Sequence, residues 1–131
     1  MIDYEVNVFD RVYRKVAPLC AKGKFVSSYI RSSTAFPAGS LVELLNRTDR
    51  KRQSSTPIEN FSIVMYQLDI YARTKKEARK VYAEADDEMI SMGFTRTSGS
   101  FLDNADDVNI FRYTASYEAE IDREGNIYRL S

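Results

Sequence analysis

The sequence contains no histidine and only one cysteine, Cys20, and these two shortages restrict the chemistry open to the chain. Histidine is the commonest general base and the commonest transition-metal ligand in proteins. Pairs of serine or cysteine with histidine are therefore excluded, and one cysteine does not make a zinc site. Cys20 also lacks a partner for an intramolecular disulfide, so we expect a reducing compartment.

Glycine and net charge are also in short supply. Only five glycines are present, and neither the Gly-x-Gly-x-x-Gly nor the Walker A order occurs, which excludes the common phosphate-binding loops. The 19 basic and 19 acidic residues cancel, so no global field draws the chain to nucleic acid or to an anionic membrane. Residues 1–19 are rich in charge, unlike a secretory signal peptide, and no apolar run approaches the roughly 20 residues that span a bilayer. We expect no membrane contact and a cytosolic site of synthesis.

What the sequence does contain is typical of a folded domain. Of its 131 residues, 44% are apolar and 29% are charged, close to the average for soluble domains. No repeat, low-complexity tract or linker interrupts this composition. We predict a single domain over residues 1–131, with its own hydrophobic core.

Two helices are predicted from apolar residues at helical spacing. The first covers residues 3–17, with Asp3 as its N-cap and Pro18 just beyond its end. The second begins at the capping box that Thr74 and Glu77 form, and it ends at Gly93, where a left-handed residue is favoured.

Alternating apolar and polar residues predict six strands. These cover residues 25–30, 41–45, 61–73, 94–101, 108–121 and 127–130. In the third strand of the chain the even-numbered residues from Val64 to Ala72 are predicted to face the core, and Met65, Gln67, Asp69 and Tyr71 the other side. The order α-β-β-β-α-β-β-β predicts an α+β fold, a mostly antiparallel sheet with two helices packed on one face.

Residues 46–60 are almost wholly polar and are predicted to form a long mobile loop. Four basic residues of this loop are the first candidate contact site: Arg47, Arg50, Lys51 and Arg52. Guanidinium groups on a loop neutralise phosphates, which suggests a contact with nucleic acid. A solubilising loop, or one ordered by an acidic partner, explains the same pattern, and the loop has no aromatic residue to stack on a base.

Tyr71 is the second candidate. Tyrosine is favoured at interfaces, because its ring buries area while its hydroxyl stays paired, and Tyr71 lies on the strand face opposite the predicted core. Tyr29 and Tyr128, on short strands, are weaker candidates of the same kind.

Two acidic runs are further candidates, as metal or acid–base sites. They are Glu84, Asp86, Asp87 and Glu88 in the second helix, and Asp103, Asp106 and Asp107 in a predicted turn. Neither has the residue order of a calcium loop, and we predict a solvated helix face and a polar turn. No catalytic residue, metal or cofactor is predicted.

Several segments resemble one family of phage proteins. They are ENFSIVMYQLDIY at residues 59–71, DEMISMGFTRT at 87–97, RYTASYEA at 112–119 and GNIYR at 125–129, with MID at 1–3 and SLVE at 40–43. Together they resemble the small minor capsid or tail-completion proteins of tailed phages and phage-like particles of Gram-positive hosts, and these look like tail terminators.

The resemblance implies a non-enzymatic α+β subunit that forms a hexameric ring on the finished tail tube. Such a ring stops tube polymerisation, docks to the neck or head connector and, in contractile tails, meets the sheath protein. The expected location is the head-proximal end of the tail in the virion, after assembly in the host cytoplasm. The basic loop would then contact the tube or face DNA passing through the channel.

Other functions stay open at the sequence level. A different neck, head-completion or minor capsid protein would bind the connector and not the tube. A small nucleic-acid-binding module would use the basic loop. An enzyme is the last of these alternatives, because the sequence shows no catalytic set.

Overall fold

The computed structural model describes residues 2–30, 35–49, 61–102 and 109–130, which form two helices and a six-stranded sheet. The helices are α1 (Glu5–Val16) and α2 (Lys75–Met92). Single 3₁₀ turns follow α1 at Ala17–Leu19 and Ala21–Gly23. The strands are β1 (Phe25–Val26), β2 (Ala38–Thr48), β3 (Phe61–Ala72), β4 (Thr95–Leu102), β5 (Phe111–Asp122) and β6 (Ile127–Tyr128).

The strands lie side by side in the order β1-β2-β3-β5-β4, and β6 pairs with the far end of β5. The short β1 runs parallel to β2, and every other pair is antiparallel. The predicted α+β fold, with its element order and mostly antiparallel sheet, is confirmed.

Both helices cover one face of the sheet. The core face of β3 is as predicted, because the even-numbered residues from Val64 to Ala72 are all buried. They pack against Val8, Val12 and Val16 of α1 and against the apolar stripe of α2 in one core cluster. The Tyr66 and Phe94 rings meet edge to face in this core, with 5.4 Å between their centroids.

The ends of α2 follow from local chemistry. The Thr74 hydroxyl accepts a hydrogen bond from the Glu77 backbone N–H at 3.1 Å, and Gly93 closes the helix with φ of 113°. Both boundaries are as predicted. The α1 cap differs, because Tyr4 holds the N-cap position and Asp3, one residue earlier, accepts the Glu5 N–H at 3.2 Å.

The strand predicted at residues 41–45 begins three residues earlier than expected, at Ala38, so Gly39 lies inside β2. A Cβ at this glycine would lie 2.8 Å from the Ile70 Cδ1 atom and 2.9 Å from the Phe25 ring. Glycine is therefore needed at this position for close packing of neighbouring strands. The first strand is also shorter than predicted, since only Phe25 and Val26 pair with β2.

The predicted loop at residues 46–60 begins too early. Arg47 and its two neighbours extend β2 and pair with Val64, Ile63 and Ser62 of β3. The polar side chain of Asn46 has partners in distant segments: it donates to the Ile2 carbonyl at 2.7 Å and accepts from the Ser62 hydroxyl at 2.8 Å. Arg50, Lys51 and Arg52, and the predicted acidic turn with Asp103, Asp106 and Asp107, lie outside the described residues.

Candidate functional site

The face of the sheet that carries no helix, here called the outer face, holds a buried ion pair. Asp69 of β3 is 1% exposed, and its Oδ1 atom accepts from Nε of Arg112 at 3.1 Å, with Nη2 of the same guanidinium also at 3.1 Å. The Gln67 amide donates to the other oxygen at 2.9 Å. Ser40, which pairs with Asp69 across β2 and β3, is fully buried. The outer face around Asp69 is therefore polar but tightly packed, and it is not exposed to solvent there.

Tyr71 lies on the outer face, as predicted. It is half-buried, and burial raises the pKa of its hydroxyl, against the opposing effect of the Arg112 charge. The Arg112 guanidinium carbon lies 5.7 Å from the centre of the Tyr71 ring, a cation–π distance. Tyr71 therefore belongs to the same cluster as Asp69 and is only partly available to a partner.

The structure does not bring Arg47 and Tyr71 together. Arg47 pairs with Ile63 at one end of β3, and Tyr71 lies at the other end, eight residues along the strand. At about 3.4 Å per residue this separation is about 27 Å. The two candidates share the outer face but belong to different regions of it.

The two weaker tyrosine candidates differ in their surroundings. Tyr29 is 53% exposed and follows β1. Tyr128 is 42% exposed, but its hydroxyl donates to Asp122 Oδ2 at 3.0 Å and so stabilises the last turn of the chain.

The sheet has two edges that are open among the described residues. One edge is β4, which pairs only with β5 and is exposed from Arg96 to Ser100. The other is the part of β2 beyond β1, residues 41–48, which pairs only with β3. An open edge presents unpaired backbone N–H and C=O groups that accept a further strand.

The prediction of a solvated acidic face on α2 is wrong for two of its four residues. Asp86 accepts hydrogen bonds from the Tyr117 hydroxyl at 2.6 Å and the Tyr82 hydroxyl at 3.0 Å, and Arg96 donates to the Tyr82 hydroxyl at 2.6 Å. Glu88 pairs with Arg11 of α1 at 2.8 Å. Burial, followed by the bond to Asp86, raises the pKa of Tyr117. This network joins α2 to the sheet.

Three carboxylates meet beside the open part of β2. Oxygens of Asp3, Glu5 and Glu43 lie within 4.8 Å of one another, and the Tyr66 hydroxyl donates to Glu43 Oε2 at 2.7 Å. Burial raises the pKa of Glu43, and repulsion from Glu5 and Asp3 acts in the same direction. Oxygen ligands of this kind suit a hard cation, but exposed acidic groups commonly cluster without one, so we assign no metal site.

Two open hollows lie near the 3₁₀ turns. The larger, about 420 Å³, includes Tyr13, Arg14 and Cys20 in its lining, and the smaller, about 320 Å³, includes Lys76 and Lys80. Cys20 is buried, and burial raises the pKa of its thiol to about 11. A thiol that stays protonated at neutral pH is a poor nucleophile.

The Asp69–Arg112 pair was missed at the sequence level. The sequence did carry a signal, since Asp69 is the one charged residue between Phe61 and Ala72 in a strand of otherwise uncharged residues. Nothing along the chain indicates that Arg112, 43 residues later, is its partner.

Comparisons with known proteins give no family. No protein-family model matches the chain, and no curated protein matches its sequence. In the part of the chain that the structure describes, neither helix is long and apolar enough to cross a membrane.

Proposed function

We propose that the chain is a structural virion protein, a tail terminator whose copies form a hexameric ring on the head-proximal end of the tail tube. Its partners are further copies of itself, the tail tube protein, the neck or connector protein and, in a contractile tail, the sheath protein. The resemblance of residues 59–71, 87–97, 112–119 and 125–129 to tail-completion proteins suggests this role.

One structural observation carries the proposal. The two open edges, β4 and residues 41–48 of β2, lie on opposite sides of one sheet. A contact between unlike edges is head-to-tail, and repeating it closes a ring when the rotation between neighbours allows it. A sheet of this kind is therefore suited to cyclic assembly, which a terminator needs.

The outer face supplies a surface for a different partner. It carries the packed cluster around Asp69 at one end and the exposed Arg47 at the other. Because the helices leave this face uncovered, a ring joined at the strand edges would present the outer faces of all its copies together. We assign the contact with the tail tube to this surface.

The basic residues after β2 remain a prediction. A deletion starting at Arg47 would remove residues that pair with Ile63 and Ser62 of β3, so it would damage the sheet as well as the proposed contact. Replacing Arg50, Lys51 and Arg52 with glutamine is the more specific test, because it removes their charges and leaves the residues of β2 in place. Normal tail length and normal head joining in that variant would show that these three residues have no part in the proposed function.

The proposal is tested by imaging particles made without this protein. We expect tubes that grow past their normal length and carry no heads, with normal length restored by the wild-type chain supplied in trans. Tubes of normal length without heads would instead assign the chain to the neck and contradict a terminator. Normal particles would contradict both roles.

A further inference from the structure

The charges of α2 are divided between its two halves. Besides the capping Glu77, the first half carries four cations and the second half four carboxylates. They are Lys75, Lys76, Arg79 and Lys80, and Glu84, Asp86, Asp87 and Glu88. This order opposes the helix macrodipole, which favours acidic side chains near the N-terminus and basic ones near the C-terminus. Like charges also lie four residues apart, as at Lys76 and Lys80, and such pairs destabilise an isolated helix. The division of charge therefore lowers the stability of α2 on its own.

Four residues of this helix form one exposed ridge, here called the α2 ridge. They are Lys76, Lys80, Ala83 and Asp87, and all four are exposed. Successive members are three or four residues apart, which places them on one side of a helix. In the part of the chain that the structure describes, the ion pairs of α2 are made by carboxylates off this ridge. The charges of the ridge therefore face solvent without a countercharge from the same chain.

A second α2, laid antiparallel on the first, would match the α2 ridge in charge. Ala83 lies next to the midpoint of the helix, and its small side chain lets two helices approach closely. When the two Ala83 residues face each other, Lys80 of one copy lies about 4.5 Å from the centre and Asp87 of the other about 6 Å, in the same direction. Lys80 and Asp87 are also about two turns apart, so both point the same way from the helix axis. The two-fold arrangement forms this pair of opposite charges twice.

Nucleic acid is the competing partner for the basic half of α2, because lysine and arginine side chains neutralise phosphates. Glu84 and Asp87, exposed on the same helix, would repel a phosphate backbone. The chain also has no net charge, so no broad positive field would support such a contact. A partner whose charges are divided in the opposite order explains both halves of the helix. A second copy of α2 has that order, and it also brings the opposite ends of two macrodipoles together.

We propose that two free copies of the chain pair through α2, antiparallel about a two-fold axis at Ala83, with Lys80 of each copy opposite Asp87 of the other. This contact goes beyond the proposed function, because a two-fold contact closes with two copies and does not form a ring. It lies on the side of the sheet that carries the helices. The proposed ring and tube contacts use the strand edges and the outer face, so the two proposals can fail separately.

Charge reversal tests the pairing. In sedimentation of the full chain at about 50 mM salt, we expect a dimer that weakens as salt is added. Lys80→Glu and Asp87→Lys should each raise the dissociation constant at least about tenfold, because both copies of the charge pair become repulsive. An equimolar mixture of the two variants should dimerise about as tightly as wild type, since each chain then meets the opposite charge, and this recovery also shows that both variants fold. A monomeric wild type, or a mixture no tighter than the single variants, overturns the proposal.

A cysteine at the two-fold axis tests the register. In a Cys20→Ala background, Ala83→Cys should form a disulfide-linked dimer on mild oxidation, because the two residues face each other. Ser91→Cys, also exposed on α2, is the control. It lies eight residues from the axis, so its two copies would be about 24 Å apart and should not bridge. Equal crosslinking of the two variants would overturn the register. A monomer that binds duplex DNA, and binds it less tightly as Lys80→Glu, would overturn the proposal and assign the basic half of α2 to nucleic acid.

Discussion

The Asp69 carboxylate and the Arg112 guanidinium form an ion pair across β3 and β5 on the face of the sheet opposite the helices. Asp69 is almost fully buried, whereas the Arg112 side chain is 28% exposed. Burying a carboxylate is costly unless charge and hydrogen bonds compensate it, and here Arg112 and Gln67 supply both. The pair fixes the relative position of two central strands.

Removing the guanidinium should destabilise the fold more than an ordinary surface change. We expect Arg112→Met to lower the free energy of unfolding by about 2 kcal/mol, because the buried Asp69 loses its countercharge and Arg112 is partly exposed. Urea unfolding measures this. Arg14→Met, on the exposed side of α1, should change stability by less than about 0.5 kcal/mol. Equal effects of the two substitutions would show that the pair does not stabilise the sheet.

The sequence predicts where the helices and strands begin and end better than it predicts which distant segments contact one another. The ends of α2 were predictable because Thr74 and Gly93 act within one helical turn. The polar end of β2 was not, because Asn46 satisfies its side chain on Ile2, 44 residues away. The same limit applies to the candidate site: Tyr71 was placed on the correct face by alternation alone, whereas its packing against Arg112 depends on a contact between distant segments.

The buried thiol of Cys20 should make the free energy of unfolding depend on pH in the alkaline range. Burial raises the pKa of its thiol from 9.0 to about 11 in the folded chain, so the folded state keeps the proton that the unfolded state releases. This contribution is complete below pH 9 and is lost as the pH rises towards 11. We expect wild-type stability to fall faster than that of Cys20→Ala between about pH 9 and 11, in urea unfolding at matched ionic strength. Parallel pH profiles would contradict a buried, neutral thiol.

Asp122 organises the turn that leads into β6. Its carboxylate accepts hydrogen bonds from the backbone N–H groups of Glu124 and Asn126, from the Asn126 side chain and from the Tyr128 hydroxyl. Burial acts to raise the pKa of Asp122, but these hydrogen bonds outweigh it and lower the pKa below its usual value.

We expect Asp122→Ala to lower the free energy of unfolding by about 2 kcal/mol at neutral pH, because four donors lose a charged acceptor. A lowered pKa gives stability that is present above the ordinary value of 3.8 and is lost as the pH falls, so the gap from wild type should narrow in acid. Glu124→Ala in the same turn is the matched control and should be nearly neutral. A gap that stays constant down to about pH 3 would assign the effect to packing and not to the carboxylate.

The negative charge of Glu43 should lower the stability of the fold at neutral pH. Its pKa is raised by burial and by Glu5 and Asp3, so its charge destabilises the isolated chain once the pH exceeds the ordinary value of 4.5. We expect Glu43→Gln to gain several tenths of a kcal/mol in the free energy of unfolding at neutral pH, with the gain disappearing near about pH 4. A glutamine side chain keeps an acceptor for the Tyr66 hydroxyl, so the core contact should survive the substitution.

Urea unfolding at about pH 4 and about pH 7 measures the gain. Glu124→Gln, which lies outside the acidic cluster, controls for the loss of one negative charge. A gain of the same size at both pH values would show that it does not come from the charge of Glu43.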